Sequence, residues 1–308
     1  MKLEQADWTP PALPLVIPIG DMPGDKVHIE NGHIQKTNVL FPALLPILES
    51  SIKANPSQKA VISICGCSGV GKSGVASVLS YYLQNIGLGS YTLSGDNYPH
   101  RIPAQNDAER LRIYRSSGIR GLLTSGAYAA ECVQQLKNLQ LNEQDADPAF
   151  IENFPWLEIY QCEGRKGLAG YLGTPCEQGF DELAGIVSLF KNGSDKIWLK
   201  RMGRTETELW YEEIDFKQTK VLVIEWTHGN SDHFQGVDIP VLLNSTPQET
   251  QAYRKLRGRD GKTDSAFTSM VLDIEQKLLE SQAYKAKLIV SKDFQILSFQ
   301  EYKKLMAN

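Results

Sequence analysis

The chain has 308 residues, 42% of them hydrophobic and 22% charged, which is ordinary for a globular protein and sufficient for one large domain with insertions. A net charge of −4 gives no general attraction to nucleic acid or to membranes, so any anion site must be local. No apolar run approaches the roughly 20 residues of a membrane-spanning helix, and the acidic, proline-containing N-terminus is unlike a signal peptide. These features predict a cytoplasmic protein that binds neither membranes nor nucleic acid.

Residues 1–55 are predicted to form an N-terminal extension with a hairpin and a helix. Asn31-Gly32 lies between alternating residues of 27–34, a pattern typical of a two-residue hairpin turn. Residues 40–53 have the apolar spacing of a helix, which Pro46 is expected to bend.

A strand–helix–strand unit follows the extension. Residues 59–65 are a short β-branched run, as expected for a buried parallel strand. Apolar residues then recur at helical spacing up to Ile86, and glycines end that helix. Residues 90–93 give the second strand.

The remaining chain alternates between helices and strands. Helices are predicted at 121–139, 180–191 and, with a basic break, 248–279, and strands are predicted at 221–225, 239–243 and 286–290. This alternation predicts a three-layer α/β/α fold with a mostly parallel sheet in residues 56–300. The irregular stretch 104–172 is interpreted as an inserted substrate-side or lid region.

The segment Gly66–Ser73 fits the pattern G-x-x-x-x-G-K-[ST] at every fixed position. Its glycines allow successive backbone N–H groups to face phosphates, and the following helix adds its positive N-terminal end. In this pattern Lys72 contacts the β- and γ-phosphates and Ser73 gives a hydroxyl to Mg²⁺. ATP with Mg²⁺ is therefore predicted as the cofactor. The predicted nucleotide-binding residues of the loop are Gly66, Cys67, Ser68, Gly69, Val70, Gly71, Lys72, Ser73 and Gly74.

Two carboxylates stand at the ends of predicted strands. Glu225 ends the apolar run 221–225, where it is expected to support the Mg²⁺ held by Ser73. Asp96 follows the strand 90–93, so it should lie in the crevice at the carboxyl end of the sheet. There it can accept the proton of an acceptor hydroxyl or hold Mg²⁺ through water. Asp96 and Lys72 are thus the predicted catalytic residues.

With these residues the chain resembles the phosphate-loop kinases of the uridine kinase and phosphoribulokinase group, with pantothenate kinase more distant. The segment Asp96–Arg101 matches an aspartate followed by aromatic and basic residues in that group, which implies that Asp96 is the catalytic base. Arg204 resembles a basic residue of that group, which precedes the strand that ends in the metal-side glutamate. Together with the arginine-rich stretch 101–120, the acceptor-binding candidates are Tyr98, His100, Arg101, Arg115 and Arg204. The resemblance also implies that three arginines close a lid on the ATP phosphates, namely Arg254, Arg257 and Arg259.

Two departures separate the chain from that group. Trp226 stands where the group usually has glycine after the metal-side glutamate, and the stretch between Asp96 and Pro175 is much longer than in uridine kinases. The expected activity is transfer of the γ-phosphate of ATP to a hydroxyl of a sugar, sugar phosphate or nucleoside. The arginine-rich stretch favours an anionic small molecule as the acceptor, and a homodimer is left open.

Two alternatives remain. The residues Gly95-Asp96-Asn97 and the basic residues after them also resemble adenylylsulfate kinase. A non-catalytic ATP-binding regulator is the alternative of a different class, although such a protein has no need of a base at Asp96. A GTPase switch is disfavoured because the chain lacks an Asn-Lys-x-Asp tetrapeptide.

Overall fold

A six-stranded sheet forms the centre of the protein. We analysed a computed structural model that describes residues 8–14, 16–257 and 265–307. The strand order is β2-β5-β1-β6-β7-β8, in which neighbours are parallel except for the antiparallel pair β7 and β8. The strands of this sheet are β1 (Ala60–Cys65), β2 (Ser90–Ser94), β5 (Val221–Glu225), β6 (Ile239–Leu243), β7 (Leu288–Val290) and β8 (Ile296–Leu297). β3 (Lys196–Met202) and β4 (Leu209–Asp215) pair separately as an antiparallel hairpin.

Helices cover both faces of the sheet. The helices of the described residues are α1 (Asn31–Ala54), α2 (Lys72–Asn85), α3 (Pro103–Thr124), α4 (Ala130–Leu141), α5 (Trp156–Ala169), α6 (Phe180–Lys191), α7 (Pro247–Arg257), α8 (Ala266–Gln282) and α9 (Phe299–Met306). Every residue of β1 and of β5 is buried, as the apolar sequences of these central strands require. The predicted α/β fold with a mostly parallel sheet is therefore confirmed.

Three apolar clusters hold these layers together. One packs α1 and α2 against the sheet, and a second packs α6 and β3 against its other face. The third joins α3, α4, α5 and α8 in a helical region outside the sheet. Most of the predicted insertion 104–172 belongs to this third cluster, so it has apolar packing of its own.

The predicted hairpin at 27–34 is wrong. Asn31 begins the 24-residue helix α1 instead, and the imidazole Nδ1 of His33 accepts a hydrogen bond of 3.0 Å from the backbone N–H of Glu30 at its start. The apolar residues of α1 recur at helical spacing and are buried against the sheet, and this burial outweighs the local turn preference of Asn-Gly. Pro42 and Pro46 both lie within this helix.

The predicted helix at 121–139 is also wrong as one continuous element. α3 ends at Thr124 and α4 begins at Ala130, with Gly126 at a φ of +74° between them. The hairpin of β3 and β4 was not predicted from the sequence.

Among the described residues, none of the helices combines the length and the apolar character needed to cross a membrane.

Candidate active site

The phosphate loop connects the end of β1 to the start of α2, as its motif requires. Gly71 precedes α2 with a φ of +96°, in the left-handed region that favours glycine. A Cβ at Gly66 would lie 2.6 Å from the carbonyl oxygen of Leu243, so β6 leaves no room for a side chain there. The loop therefore has the backbone shape in which its N–H groups can cradle phosphates.

Lys72 and Ser73 lie at the first turn of α2. The ammonium of Lys72 donates hydrogen bonds to the carbonyls of Gly66 (3.0 Å) and Cys67 (3.1 Å), so it is folded over the loop. The hydroxyl of Ser73 donates to Oε2 of Glu225 at 3.0 Å. Loop, helix and the β5 carboxylate thus meet at one point.

The carboxylate of Glu225 is buried where three parallel strands end. β1, β5 and β2 are neighbours, and Glu225 is in register with Ile64 and with Ser94. The Ser94 hydroxyl donates to its Oε1, opposite the bond from Ser73 to Oε2. Burial, followed by the negative charge of Asp96, raises the pKa of Glu225 to about 7.

The oxygen donors of this site suit Mg²⁺. Ser73, Asp96 and Glu225 are hard oxygen ligands, which Mg²⁺ prefers over nitrogen or sulfur. A cation would also offset the repulsion that raises the pKa of Glu225. Among the described residues no three histidine, cysteine or carboxylate side chains are placed to hold a metal by themselves.

A cavity of ≈ 570 Å³ contains the loop and the two predicted carboxylates. Asp96 is exposed in it, in a single turn of 3₁₀ helix after β2, and Arg204 enters from the turn after β3. The remaining wall comes from residues 24–33, which no motif had placed near the site. The cavity thus joins the predicted phosphate loop, metal-side carboxylate and base.

Four of the five predicted acceptor-binding residues do not line this cavity. Tyr98 is fully buried in the apolar cluster around α6. His100 contacts the carbonyl of Pro175 through Nε2 at 2.9 Å, and Arg101 donates to the Tyr171 hydroxyl at 3.0 Å. Arg115 forms two hydrogen bonds of 2.9 and 3.0 Å with the carboxylate of Asp145 in the helical region. Arg204 is the fifth and lies in the cavity.

Trp226, the departure after Glu225, is accommodated by a glycine. Its side chain is buried, and a Cβ added to Gly95 would lie 2.1 Å from its Cγ. The indole therefore occupies the space beside the turn that carries Asp96, and this explains how a tryptophan fits at that position.

The predicted lid arginines lie on or after α7. Arg254 is buried and donates to the carbonyl of Pro247 (2.7 Å) and the hydroxyl of Thr250 (2.6 Å). A Cβ at Gly69 would lie 3.0 Å from the Arg254 side chain, so α7 flanks the loop on this side. Arg257 ends the helix, and Arg259 lies outside the described residues.

A buried polar network links the helical region to the end of β5. Glu177 accepts hydrogen bonds from Nε of Arg110 (2.6 Å), from the side chain of Asn106 (3.0 Å) and from the backbone N–H of Gly173 (2.6 Å). His228 lies beside it, fully buried, and this burial lowers its pKa to about 4. Arg110 and Arg115 of the arginine-rich stretch are thus paired with carboxylates, so neither is placed to bind an anionic acceptor.

Among the known proteins that are similar to this chain are several named as kinases. No protein-family model matches the chain. Over 239 residues the chain is 39% identical to the bifunctional alpha-galactosidase/sucrose kinase AgaSK of Mediterraneibacter gnavus. The match covers 78% of this chain but 21% of the relative, so the chain spans about a fifth of the length of that protein.

Solved structures of kinases are also similar to the chain. A putative fructose transport system kinase from Silicibacter sp. TM1040 shares 14% identity, with a TM-score of 0.46, over 82% of this chain and 95% of its own. A possible uridine kinase from Bacillus stearothermophilus shares 12%, with a TM-score of 0.40, over 80% and 98%. The sequence relative, whose name combines an alpha-galactosidase with a sucrose kinase, confirms the predicted resemblance to small-molecule kinases. The likeness to adenylylsulfate kinase stays a prediction.

Proposed function

We propose that the chain transfers the γ-phosphate of ATP to a hydroxyl group of a sugar. The observation that carries this proposal is the convergence of Lys72, Ser73, Glu225 and Asp96 in one cavity. A protein that only binds nucleotide has use for the first three but no need of a carboxylate exposed beside them. The similarity to a protein named as a sucrose kinase supports a sugar as the acceptor.

In the proposed reaction each residue has one role. The loop amides and the Lys72 ammonium stabilise charge on the transferring phosphoryl group. Asp96 orients the acceptor hydroxyl and accepts its proton as the bond to phosphorus forms. Ser73 and Glu225 would hold Mg²⁺, which supplies further neutralisation of phosphate charge when it is bound with ATP.

The direct test is ADP release by the purified chain with Mg²⁺ and ATP across a panel of acceptors. The panel should contain sucrose, its component monosaccharides, a sugar phosphate, a nucleoside and adenylylsulfate. We expect ADP release with a neutral sugar, and a phosphate ester in the ³¹P spectrum of the product. ATP binding without ADP release on any acceptor would favour the regulatory alternative instead. A cytoplasmic location and a homodimer remain predictions, which fractionation and light scattering can check.

A further inference from the structure

We infer that residues 24–30, here called the N-terminal strap, form the acceptor-binding wall of the cavity, and that Lys26 and His28 bind the hydroxyl groups of a neutral sugar. This inference rests on the proposed function and names the side of the cavity that recognises the acceptor. It replaces most of the acceptor-binding residues predicted from the sequence, which lie elsewhere.

The strap is held at its beginning by Asp21. One oxygen of this buried carboxylate accepts hydrogen bonds from the backbone N–H of Ser94 (2.7 Å) and the side chain of Asn97 (3.2 Å). The other accepts from the hydroxyl of Tyr91 (3.0 Å) and from Arg201 (2.9 Å). Ser94 and Asn97 flank the turn that carries Asp96, so the chain enters the strap directly beside the proposed base.

The strap is held at its end by the phosphate loop. The imidazole of His33 packs so closely on Gly71 and Gly74 that a Cβ on either would lie within about 2.6 Å of the ring. One helical turn further on, the ammonium of Lys36 donates to the carbonyl of Val70 at 2.8 Å. Because both ends are fixed, the residues between them must pass across the cavity.

The two flanks of the phosphate loop indicate which substrate the strap faces. α7 packs on the loop at Gly69, and His33, three residues after the strap, packs on it at Gly71 and Gly74. Arg254 of α7 is predicted to contact the ATP phosphates, so we place α7 on the nucleotide side. Attacking and leaving oxygens stand roughly in line across the transferred phosphoryl group, so the acceptor approaches from the side away from the nucleotide. Asp96 and the strap line the same cavity as the phosphate loop. We therefore place the acceptor against them.

The chemistry of the strap suits a hydroxyl-rich, uncharged molecule. Lys26, His28 and Glu30 are exposed and line the cavity, where they can donate hydrogen bonds to sugar hydroxyls and accept from them. The cavity carries both signs of charge, with Lys26 and Arg204 on the same surface as Glu30 and Glu225. An anionic acceptor would meet these carboxylates unfavourably, whereas a neutral sugar can bind both kinds of group.

Steady-state kinetics of strap variants test the inference. Lys26→Ala, His28→Ala and the double variant are compared with wild type, each with sugar varied at saturating ATP and with ATP varied at saturating sugar. Lys53→Ala is the matched control, since Lys53 is an exposed lysine in the last turn of α1. We expect the double variant to raise KM for the sugar at least about tenfold, from the loss of the hydrogen bonds made by the Lys26 ammonium and the His28 imidazole. KM for ATP should stay within about twofold of wild type, and the control should match wild type in both.

The outcomes separate this inference from the proposed function. Turnover of a sugar by wild type, with an unchanged sugar KM in the double variant, overturns the inference and leaves the kinase proposal standing. A rise in KM for ATP alone places the strap on the nucleotide side and also overturns it. A raised sugar KM in Arg101→Ala, with strap variants like wild type, moves the acceptor to the helical region. Wild type that phosphorylates no sugar overturns both proposals.

Discussion

One wall of the cavity is made by consecutive residues, and the other is assembled from segments far apart in the chain. The phosphate wall is the loop 66–73, whose shape is fixed by its own glycines and by the strand and helix at its ends. The opposite wall combines residues 24–30, Asp96 and Arg204, which depend on long-range contacts for their positions. The phosphate wall is expected to tolerate changes elsewhere, whereas the acceptor wall depends on its remote supports.

Lys72→Ala should have the largest effect on turnover, and it changes only the phosphate wall. The substitution removes a preorganised positive charge at the transferring group, and we expect turnover to fall about 10³-fold, or about 4 kcal/mol in activation free energy. Turnover is measured by coupled ADP release, and Lys53→Ala serves again as the control. A variant that keeps a tenth of wild-type turnover would remove Lys72 from the mechanism.

Asp96→Asn should reduce phosphoryl transfer without weakening ATP binding, which distinguishes the role of the acceptor wall from that of the phosphate wall. The amide keeps the shape of the side chain but cannot accept a proton, so we expect transfer to fall at least about 10²-fold. ATP affinity, measured by calorimetry, should change little because the loop is unaltered. Near-normal transfer would show that Asp96 is not the base, and a large loss of ATP affinity would show that it belongs to the nucleotide site.

His228 should make the stability of the protein depend on pH through the buried network that joins the helical region to the end of β5. Burial lowers its pKa to about 4, below the usual 6.5 that it regains on unfolding. The stabilisation is therefore complete above about pH 6.5 and is lost as the pH falls toward 4, by roughly 2–3 kcal/mol between pH 7.5 and 4.5. Urea denaturation of wild type and His228→Gln at these two pH values measures the difference. An equal loss of stability in both proteins would exclude His228 as the cause.

The smallest expected effect on stability concerns the contact between His33 of α1 and Gly74 of α2. A Cβ at Gly74 would lie 2.5 Å from the imidazole of His33, so Gly74→Ala should destabilise the fold by about 1–2 kcal/mol. In the double variant with His33→Ala this cost should largely disappear, which gives a coupling free energy of about 1 kcal/mol. Thermal unfolding of the four proteins completes the cycle. Additive effects would mean that His33 does not rest on Gly74.

The difference between the two walls also explains which features could be predicted from the sequence. The loop, β1, β2 and β5 follow from a contiguous motif and from apolar runs whose burial is unambiguous, and all appear at nearly the predicted residues. Glu225 was placed correctly because the position of a residue at a strand end is also a local property. The division into an extension of residues 1–55 and a domain of residues 56–300 stays a prediction.

The errors arose where tertiary contacts override local preference. Asn31-Gly32 has the chemistry of a hairpin turn, but burial of the apolar face of α1 makes it a helix start. Tyr98 and Arg115 do not line the cavity, because one fills the core and the other pairs with Asp145. Asp21, His33 and Lys36 belong to no motif, and their roles come from partners at least 34 residues away in the chain.

The contact between Gly95 and Trp226 has a consequence for the evolution of this site. The two positions share one fixed volume beside the base, and here the indole fills almost all of it. A relative with glycine after its metal-side glutamate would have to fill that volume from another position, and residue 95 is the nearest candidate. Residues 95 and 226 should therefore change together in evolution, so that a larger side chain at one position accompanies a smaller one at the other.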